Sequence, residues 1–298
     1  MNINGTHIDD TFAEAFPMRA TRIIITAHNQ AWAHLAAATM TGFATSVIAC
    51  GCEAGIERQL EPYETPDGRP GVSVLLFAVS SKELEKQLLN RVGQCVLTAP
   101  TTACYAGMES AETLPLGQKL RFFGDGYQIS KKIGGKRYWR IPVMDGEFLC
   151  EETTGMTRGV GGGNFLLLAD TQEQALAAAE AAVTEMKRMS GIVMPFPGGI
   201  VRSGSKVGSR YPGLPASTND AFSPVLKGLV RSELTPEIGA VLEIVIDGLS
   251  AAHVAKATRA GILAACELGA RHGLRRISAG NYGGKLGPHH FHLRELLR

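Results

Sequence analysis

The chain has 298 residues, 45% of them hydrophobic and 19% charged, and its 30 basic and 28 acidic side chains give a net charge of +2. This composition is that of a folded globular protein, long enough for two domains or two lobes. Because the two kinds of charge nearly balance, the sequence lacks the basic stripe of a nucleic-acid-binding protein, and that class is disfavoured.

The amino-terminal residues and the cysteines bear on the compartment. Residues 1–16 are polar and acidic, unlike a secretory signal, and no apolar run is long enough to cross a bilayer. We therefore expect a cytoplasmic protein whose six scattered cysteines are free thiols. Cys50-Gly-Cys52 has no second ligand pair, and His289, His290 and His292 have no companion at ligand spacing, so we predict no metal site.

Strands and helices alternate in the first half of the chain. The first predicted helix follows Asn29 and ends at Gly42, and the second begins at Ser80 and ends at Gly93. Strands are predicted at 22–26, 43–48, 72–79 and 94–98, with short β-like runs at 120–123 and 138–143.

The second half repeats this alternation after a boundary placed near Asp145-Gly146. One helix is predicted from a cap at Asp170 to Gly191, and a longer one begins at Ser250. Strands are predicted at 164–169, 241–246 and 274–278. The chain is thus divided into an amino-terminal lobe, 1–146, and a carboxyl-terminal lobe, 147–298.

Four β-α-β units predict an α+β protein made of two ferredoxin-like (split β-α-β) lobes, which arose by duplication. The alternative is a doubly wound parallel sheet that binds a dinucleotide. Such a sheet usually has a glycine-rich turn after its first strand, whereas residues 26–29 contain no glycine. We therefore favour the split β-α-β arrangement.

The stretch 195–220 is the best candidate for a functional loop. It has five glycines, four prolines and no helix or strand pattern, and loops of this length are usually functional or disordered. Arg202, Lys206 and Arg210 recur at every fourth residue, which suits a carboxylate or phosphate ligand or, alternatively, a solvated surface. The motif from Gly199 to Lys206 has the wrong order for a phosphate-binding P-loop, so nucleotide hydrolysis is disfavoured.

Polar side chains end this loop, and a related glycine-rich segment lies near the carboxyl terminus. Residues 217–220 could orient a heterocycle or form a turn before a helix cap. Segments 161–165 and 279–287 each place Gly-Asn-aromatic beside a strand, where either close backbone approach or a β-bulge would use glycine. The candidate substrate-binding residues are Pro197, Gly198, Gly199, Arg202, Ser205, Lys206, Arg210, Ser217, Thr218, Asn219 and Asn281.

Glu243 is the candidate catalytic residue. It interrupts the apolar run Val-Leu-Glu-Ile-Val-Ile, where burial would raise its pKa and let a neutral acid donate a hydrogen bond to an oxyanion. Alternatively, the residue points outward to solvent from an alternating strand.

Blocks in order along nearly the whole chain resemble the formylmethanofuran:tetrahydromethanopterin formyltransferases. They are NGTHIDDTFAEAF, ATSVI with EAGIE, ETPDGRPGV, RVGQCVLTAPT, FFGDGYQ, PFPGGIV with SKVGS, LPASTNDA, EIVIDGL and ISAGNYGGKLG. The near-neutral charge and the cysteines resemble the bacterial branch, found in methylotrophs, more than the acidic archaeal members.

The resemblance implies reversible transfer of a formyl group between N5 of tetrahydromethanopterin and the amine of methanofuran, two carrier cosubstrates, without a prosthetic group. It implies a homotetramer, with Glu243 as a protonated residue that stabilises the oxyanion. In the bacterial branch it implies formaldehyde oxidation to formate within a formyltransferase/hydrolase complex. The alternatives are a non-catalytic scaffold subunit of that complex and an ACT-like small-molecule sensor.

Overall fold

The computed structural model describes residues 1–285 and 287–298, so Leu286, which belongs to the predicted segment 279–287, lies outside the described residues. Contacts group the chain into two compact units. Unit 1 consists of Met1–Pro17, Ser46–Cys50 and Val160–Arg298, and unit 2 consists of Met18–Thr45 and Gly51–Gly159. These units follow spatial contacts rather than chain order, and the lobe boundary near Gly146 stays a prediction.

The strands are numbered in chain order as β1 Asn2–Ile3, β2 Thr6–Ile8, β3 Phe12–Thr26, β4 Glu53–Leu60, β5 Gly71–Ala78, β6 Ala103–Ala106, β7 Glu112–Pro115, β8 Ile129–Ile133, β9 Lys136–Val143, β10 Gly146–Glu151, β11 Thr153–Ala169, β12 Ile192–Val193, β13 Lys206–Val207, β14 Ala216–Ser217, β15 Ala240–Gly248, β16 Leu274–Ser278 and β17 His289–His292.

The α-helices are α1 Gln30–Thr41, α2 Ser81–Arg91, α3 Gly117–Leu120, α4 Gln172–Met186, α5 Ala251–Leu268 and α6 Leu293–Leu296. A π-helical turn, Val92–Val96, directly follows α2. Short 3-10 helices occupy Pro62–Glu64, Arg121–Gly124, Pro197–Gly199, Asp220–Phe222, Pro224–Leu226 and Ala270–His272.

In unit 2 the strands follow the order β4–β5–β3–β6, and each of these neighbours is antiparallel to the next. Strand β6 then pairs with β10 in parallel, and β9 and β8 complete the order. All eight residues of β5 are buried, because α1 and α2 both contact this strand. The core of unit 2 therefore lies between its sheet and these two helices.

Unit 1 has the same order in its own strands, β12–β15–β11–β16, and again all neighbours are antiparallel. Strand β2 pairs in parallel with β16, and β1 pairs with β2. Helices α4 and α5 pack against each other and contact β15, so the core of unit 1 lies between these helices and the sheet. Mixed strand directions and this layering confirm the α+β class.

The predicted starts of three helices were confirmed. The side chains of Asn29, Ser80 and Ser250 each accept a hydrogen bond from the first turn of α1, α2 and α5. Strand β16 has the predicted bounds, Leu274–Ser278. The cap of α4 was off by one residue: Thr171, not Asp170, caps the helix and forms a reciprocal capping box with Gln174.

Three predicted strands were wrong. Residues 43–48 form turns and irregular backbone, with the side chain of Phe43 91% exposed, and β4 begins later, at Glu53. Residues 94–98 lie mostly in the π-helical turn, because Val92 and Val96 both pack into the core of unit 2 from that turn. Residues 120–123 are helical. Short apolar runs fit either conformation, so the sequence pattern could not separate strand from helix here.

Candidate active site

Glu243 lies in β15 of unit 1, where two neighbours fix its backbone. Leu166 of β11 is its partner on one side. On the other side Val201, inside the predicted functional loop, donates a backbone N–H to the carbonyl oxygen of Glu243 at 2.8 Å. Glu243 donates its own N–H back to the carbonyl of Val201 at 3.0 Å. This two-bond bridge holds the loop onto the strand at the predicted catalytic residue.

The loop reaches β15 because its start turns sharply. Gly198 and Gly199, inside the turn Pro197–Gly199, have φ of 67° and 88°, which residues with a Cβ rarely adopt. A Cβ on Gly199 would also meet Val183 at 3.2 Å. After the turn Val201 is buried, only 5% exposed, and Arg202 follows it at the surface. These glycines thus shape the loop without lining the cavity described next.

A cavity of about 160 Å³ opens beside Glu243. Its wall is formed by residues 201–204 of the loop, by Thr218, Asn219 and 222–224 further along, and by 241–243 of β15, together with Leu166. Four predicted site residues therefore meet here: Arg202, Thr218, Asn219 and Glu243. All of them belong to unit 1.

The carboxyl group of Glu243 is half-buried, and among the described residues none makes a hydrogen bond or ion pair with it. Burial raises its pKa from the ordinary 4.5 to about 7. The group is therefore largely protonated just below neutral pH, and its O–H can donate a hydrogen bond into the cavity.

The three cations of the predicted row have different surroundings. Arg202 lines the cavity. Lys206 lies in the small hairpin β13–β14 and donates to the carboxylate of Asp220, which holds the pKa of that carboxyl below its usual range. Arg210 is exposed within the connection between β13 and β14. The structure thus places one member of the row, Arg202, at the cavity.

The remaining polar candidates make contacts away from the cavity. Ser217 donates its hydroxyl to the carbonyl of Gly208 at 2.8 Å, across the hairpin, and Ser205 is exposed beside it. Asn281 donates its amide to the hydroxyl of Thr11 at 3.2 Å and to the carbonyl of Phe12 at 3.1 Å. These bonds order the backbone around the site, and a role in substrate binding for these residues stays a prediction.

Sequence reasoning missed several residues that line the cavity. Ser203 lies between two predicted candidates, and Phe222 and Ser223 follow the predicted end of the loop at Asp220. Phe222 also packs against the buried cluster around Leu168. Phe222 could have been found from the sequence, because it is an aromatic residue that closely follows the polar residues 217–220. A turn at those residues places the residues after it near its own polar groups.

No group of three or more His, Cys, Asp or Glu that could hold a metal occurs within residues 1–285 and 287–298. In the same residues, no helix is both long enough and apolar enough to cross a membrane. Cys52, Cys95, Cys104, Cys150 and Cys266 are free thiols. His289, His290 and His292 lie along β17, which pairs with β3.

The fold and the cavity define a class: an α+β protein whose neutral carboxylic acid, beside an arginine and hydrogen-bonding side chains, suits acyl transfer through an oxyanion. The family model described as formylmethanofuran-tetrahydromethanopterin formyltransferase matches residues 1–143, and the model of the proximal lobe of that family matches residues 146–296. The chain belongs to this formyltransferase family, and the resemblance read from the sequence is confirmed.

Individual relatives agree with this assignment. A formylmethanofuran–tetrahydromethanopterin formyltransferase of Methylococcus capsulatus is 72% identical over 100% of both chains. A solved formyltransferase/hydrolase complex from Methylorubrum extorquens with methylofuran contains a chain that is 55% identical, with a TM-score of 0.97, over 100% of this chain and 99% of that one. The formyltransferase of Methanosarcina barkeri is 49% identical, with a TM-score of 0.93, over 99% and 100%. The higher identities to proteins of bacterial methylotrophs confirm the predicted branch.

Proposed function

We propose that this protein transfers a formyl group reversibly between N5 of tetrahydromethanopterin and the primary amine of methanofuran, in the one-carbon metabolism that oxidises formaldehyde to formate. The carriers are cosubstrates that bind and leave in each cycle. One observation carries the proposal: the half-buried carboxyl group of Glu243, unpaired among the described residues, lines a cavity whose wall is partly formed by the functional loop.

The proposed chemistry is an amine exchange at a formamide. The attacking amine forms a C–N bond to the formyl carbon, the carbonyl electrons move to oxygen, and the resulting tetrahedral oxyanion is stabilised by the O–H of Glu243. The attacking nitrogen then loses its proton, the departing nitrogen gains one, and the old C–N bond breaks. Losing one such oxyanion donor typically lowers turnover about 10²- to 10³-fold, and alignment of two reactants can contribute about 7–11 kcal/mol.

Binding of the carriers is assigned to the loop. Both carriers bear anionic groups, which Arg202 at the cavity can bind through charge-assisted hydrogen bonds. Thr218 and Asn219 offer donors and acceptors to a heterocycle or amide. The other candidate residues are proposed to act from outside the cavity, by forming the turn, the hairpin or the backbone contacts around it. They are Pro197, Gly198, Gly199, Ser205, Lys206, Arg210, Ser217 and Asn281.

Each compact unit is proposed to contain a ferredoxin-like, split β-α-β fold, and the two to descend from one duplicated ancestor. The shared antiparallel orders, β4–β5–β3–β6 and β12–β15–β11–β16, support this, since each separates the two strands of its first β-α-β unit by one further strand. Family segments 1–143 and 146–296 support a lobe boundary near residue 146.

The assembly is proposed to be a cytoplasmic homotetramer that also binds other subunits of a formyltransferase/hydrolase complex. A relative from Methylorubrum extorquens, 56% identical over 99% of this chain, is named as one of the subunits of such a complex, which supports the association with further proteins. Because that relative is named as a subunit of a complex, a second candidate function is that of a non-catalytic scaffold within the complex. A scaffold would not exchange formyl groups when purified alone.

The test is an assay of the purified chain with formyl-tetrahydromethanopterin and methanofuran, followed through pterin absorbance. We expect turnover by the wild type and a loss of about 10²- to 10³-fold in Glu243→Ala. Sedimentation should give the same oligomer for both proteins. The matched control is Glu180→Ala, which removes an exposed glutamate on α4. No exchange by the wild type would support the scaffold, and full turnover by Glu243→Ala would remove Glu243 from the mechanism.

A further inference from the structure

Two short segments, one before and one after the hairpin β13–β14, form much of the wall of the cavity beside Glu243. We call residues 202–204 the first wall segment and residues 218–223 the second wall segment. The hairpin itself, residues 206–217, is not among the described residues that line the cavity. The hairpin therefore joins two parts of one wall, and it can control the spacing between them.

The first wall segment is fixed at its start and touches the second wall segment. The backbone bridge between Val201 and Glu243 holds its start on β15. Gly204, with φ of 56°, comes so close to the second wall segment that a Cβ on it would lie 3.2 Å from the Cβ of Asn219. The two segments thus meet at Gly204 and Asn219, and a small separation there would change the width of the cavity.

The second wall segment is held from the other side by the residues that follow it. The carbonyl oxygen of Ala221 accepts the N–H of Glu233 at 2.9 Å and the hydroxyl of Ser232 at 3.3 Å. The carbonyl of Asn219 accepts the N–H of Phe222 at 3.1 Å, which closes a 3-10 turn. This segment is thus ordered by bonds outside the hairpin, so the hairpin decides mainly how the first wall segment faces it.

An ion pair ties the hairpin to the second wall segment. Lys206, the first residue of β13, donates to the carboxylate of Asp220. The hairpin has a ladder of two residue pairs, with further hydrogen bonds from Gly208 to the carbonyl of Pro215 and from Ser217 to the carbonyl of Gly208. Because a two-stranded hairpin is marginally stable on its own in water, the ion pair matters for keeping it in place on the second wall segment.

We propose that Lys206 and Asp220 are positioning residues for formyl transfer: their ion pair holds the first wall segment against the second and so sets the distance between Arg202 and Asn219 at the cavity. This role rests on the proposed function of the cavity. The two residues act through Arg202 and Asn219, which line the cavity, and do not touch the reacting atoms. The charge of Lys206 is thus used within the protein rather than by an anionic carrier.

Three variants separate positioning from direct binding of a carrier. Lys206→Ala and Asp220→Asn each break the ion pair, and Asp220→Asn does so while the cation of Lys206 stays in place. The double variant Lys206→Asp with Asp220→Lys restores an ion pair in which the two side chains are interchanged. If Lys206 bound a carrier directly, Asp220→Asn would leave binding intact and the double variant would lose it.

The first readout is steady-state kinetics with both carriers. The side chains of Lys206 and Asp220 are 45% and 29% exposed, and exposed ion pairs shift equilibria by about two- to fivefold. We expect both single variants to lower kcat/KM by about that factor and the double variant to restore it. The matched control is Lys86→Ala, which breaks an exposed ion pair with Glu83 in unit 2 and should leave kcat/KM unchanged.

The second readout needs no carriers. It is hydrogen–deuterium exchange, measured by mass spectrometry, of peptides that contain Gly208, whose N–H donates to the carbonyl of Pro215 at 2.8 Å. We expect exchange to become about two- to fivefold faster in both single variants and to return to the wild-type rate in the double variant. Because salt screens exposed charges, the difference should disappear at about 1 M salt.

The outcomes distinguish positioning from its alternatives. Faster exchange and lower kcat/KM in both single variants, with recovery in the double variant, support the positioning role. Wild-type kcat/KM in Asp220→Asn overturns it, and so does a double variant that is no more active than the single ones. Faster exchange with unchanged kinetics also overturns it, because the pair would then stabilise only the hairpin. If the wild type transfers no formyl group, the proposed function fails, while hydrogen exchange still tests whether the ion pair closes the hairpin.

Discussion

The raised pKa of Glu243 predicts how stability depends on pH, and Glu243→Gln isolates that effect. Between pH 4.5 and about 7 the folded protein keeps the proton on Glu243, whereas the unfolded chain releases it. Unfolding therefore releases a proton in this window, so a rise in pH favours the unfolded state. Glutamine has nearly the same shape and cannot titrate, so the stability of the variant does not fall through this proton release as the pH rises.

The magnitude follows from the interval between the two pKa values. Each pH unit between 4.5 and about 7 corresponds to about 1.4 kcal/mol, which gives about 3 kcal/mol as an upper value. Partial exposure of Glu243 to solvent reduces this to about 2 kcal/mol. We expect the unfolding free energy of Glu243→Gln to rise by that amount relative to wild type between pH 5 and pH 8. Most of this rise should occur below pH 7.

The assay is urea unfolding, followed by circular dichroism at several pH values and one fixed protein concentration, because an oligomer unfolds in a concentration-dependent way. Glu180→Gln, which changes an exposed glutamate, serves as the control and should parallel wild type. If the difference in unfolding free energy between wild type and Glu243→Gln stays constant from pH 5 to pH 8, Glu243 has no raised pKa. The proposal of a neutral acid in catalysis would then lose its basis.

Two further substitutions test the cavity and the packing behind it. Arg202→Ala should raise KM for the anionic carriers about tenfold or more, because it removes one charge-assisted hydrogen bond. The control Arg188→Ala, at an exposed arginine, should leave the steady-state kinetics unchanged. If KM is the same in Arg202→Ala and in wild type, the carriers bind elsewhere. Gly261→Ala should destabilise unit 1 by about 1–3 kcal/mol, seen as a lower melting temperature, because its Cβ would lie 2.5 Å from the sulfur of Met186 and 3.0 Å from the ring of Phe165. An unchanged melting temperature would mean that α4 and α5 can separate freely.

The sequence by itself determined the features that depend on a few neighbouring residues. The helices predicted to start after Asn29 and at Ser250 do start there, because each start depends on a side chain that caps backbone groups two or three residues away. Glu243 stood out since its neighbours are apolar, and burial does raise its pKa. The family was recognisable because its blocks extend along nearly the whole chain.

Tertiary structure alone decided the features that join distant residues. The bridge between Val201 and Glu243 joins positions 42 apart, and the pairing of Lys206 with Asp220 removes one cation from a row that looked uniform. Glu14 contacts a turn some 270 residues away. No local pattern encodes these contacts, because a hydrogen bond needs only a suitable partner within reach, and only the folded sheet determines which residues come within reach of one another.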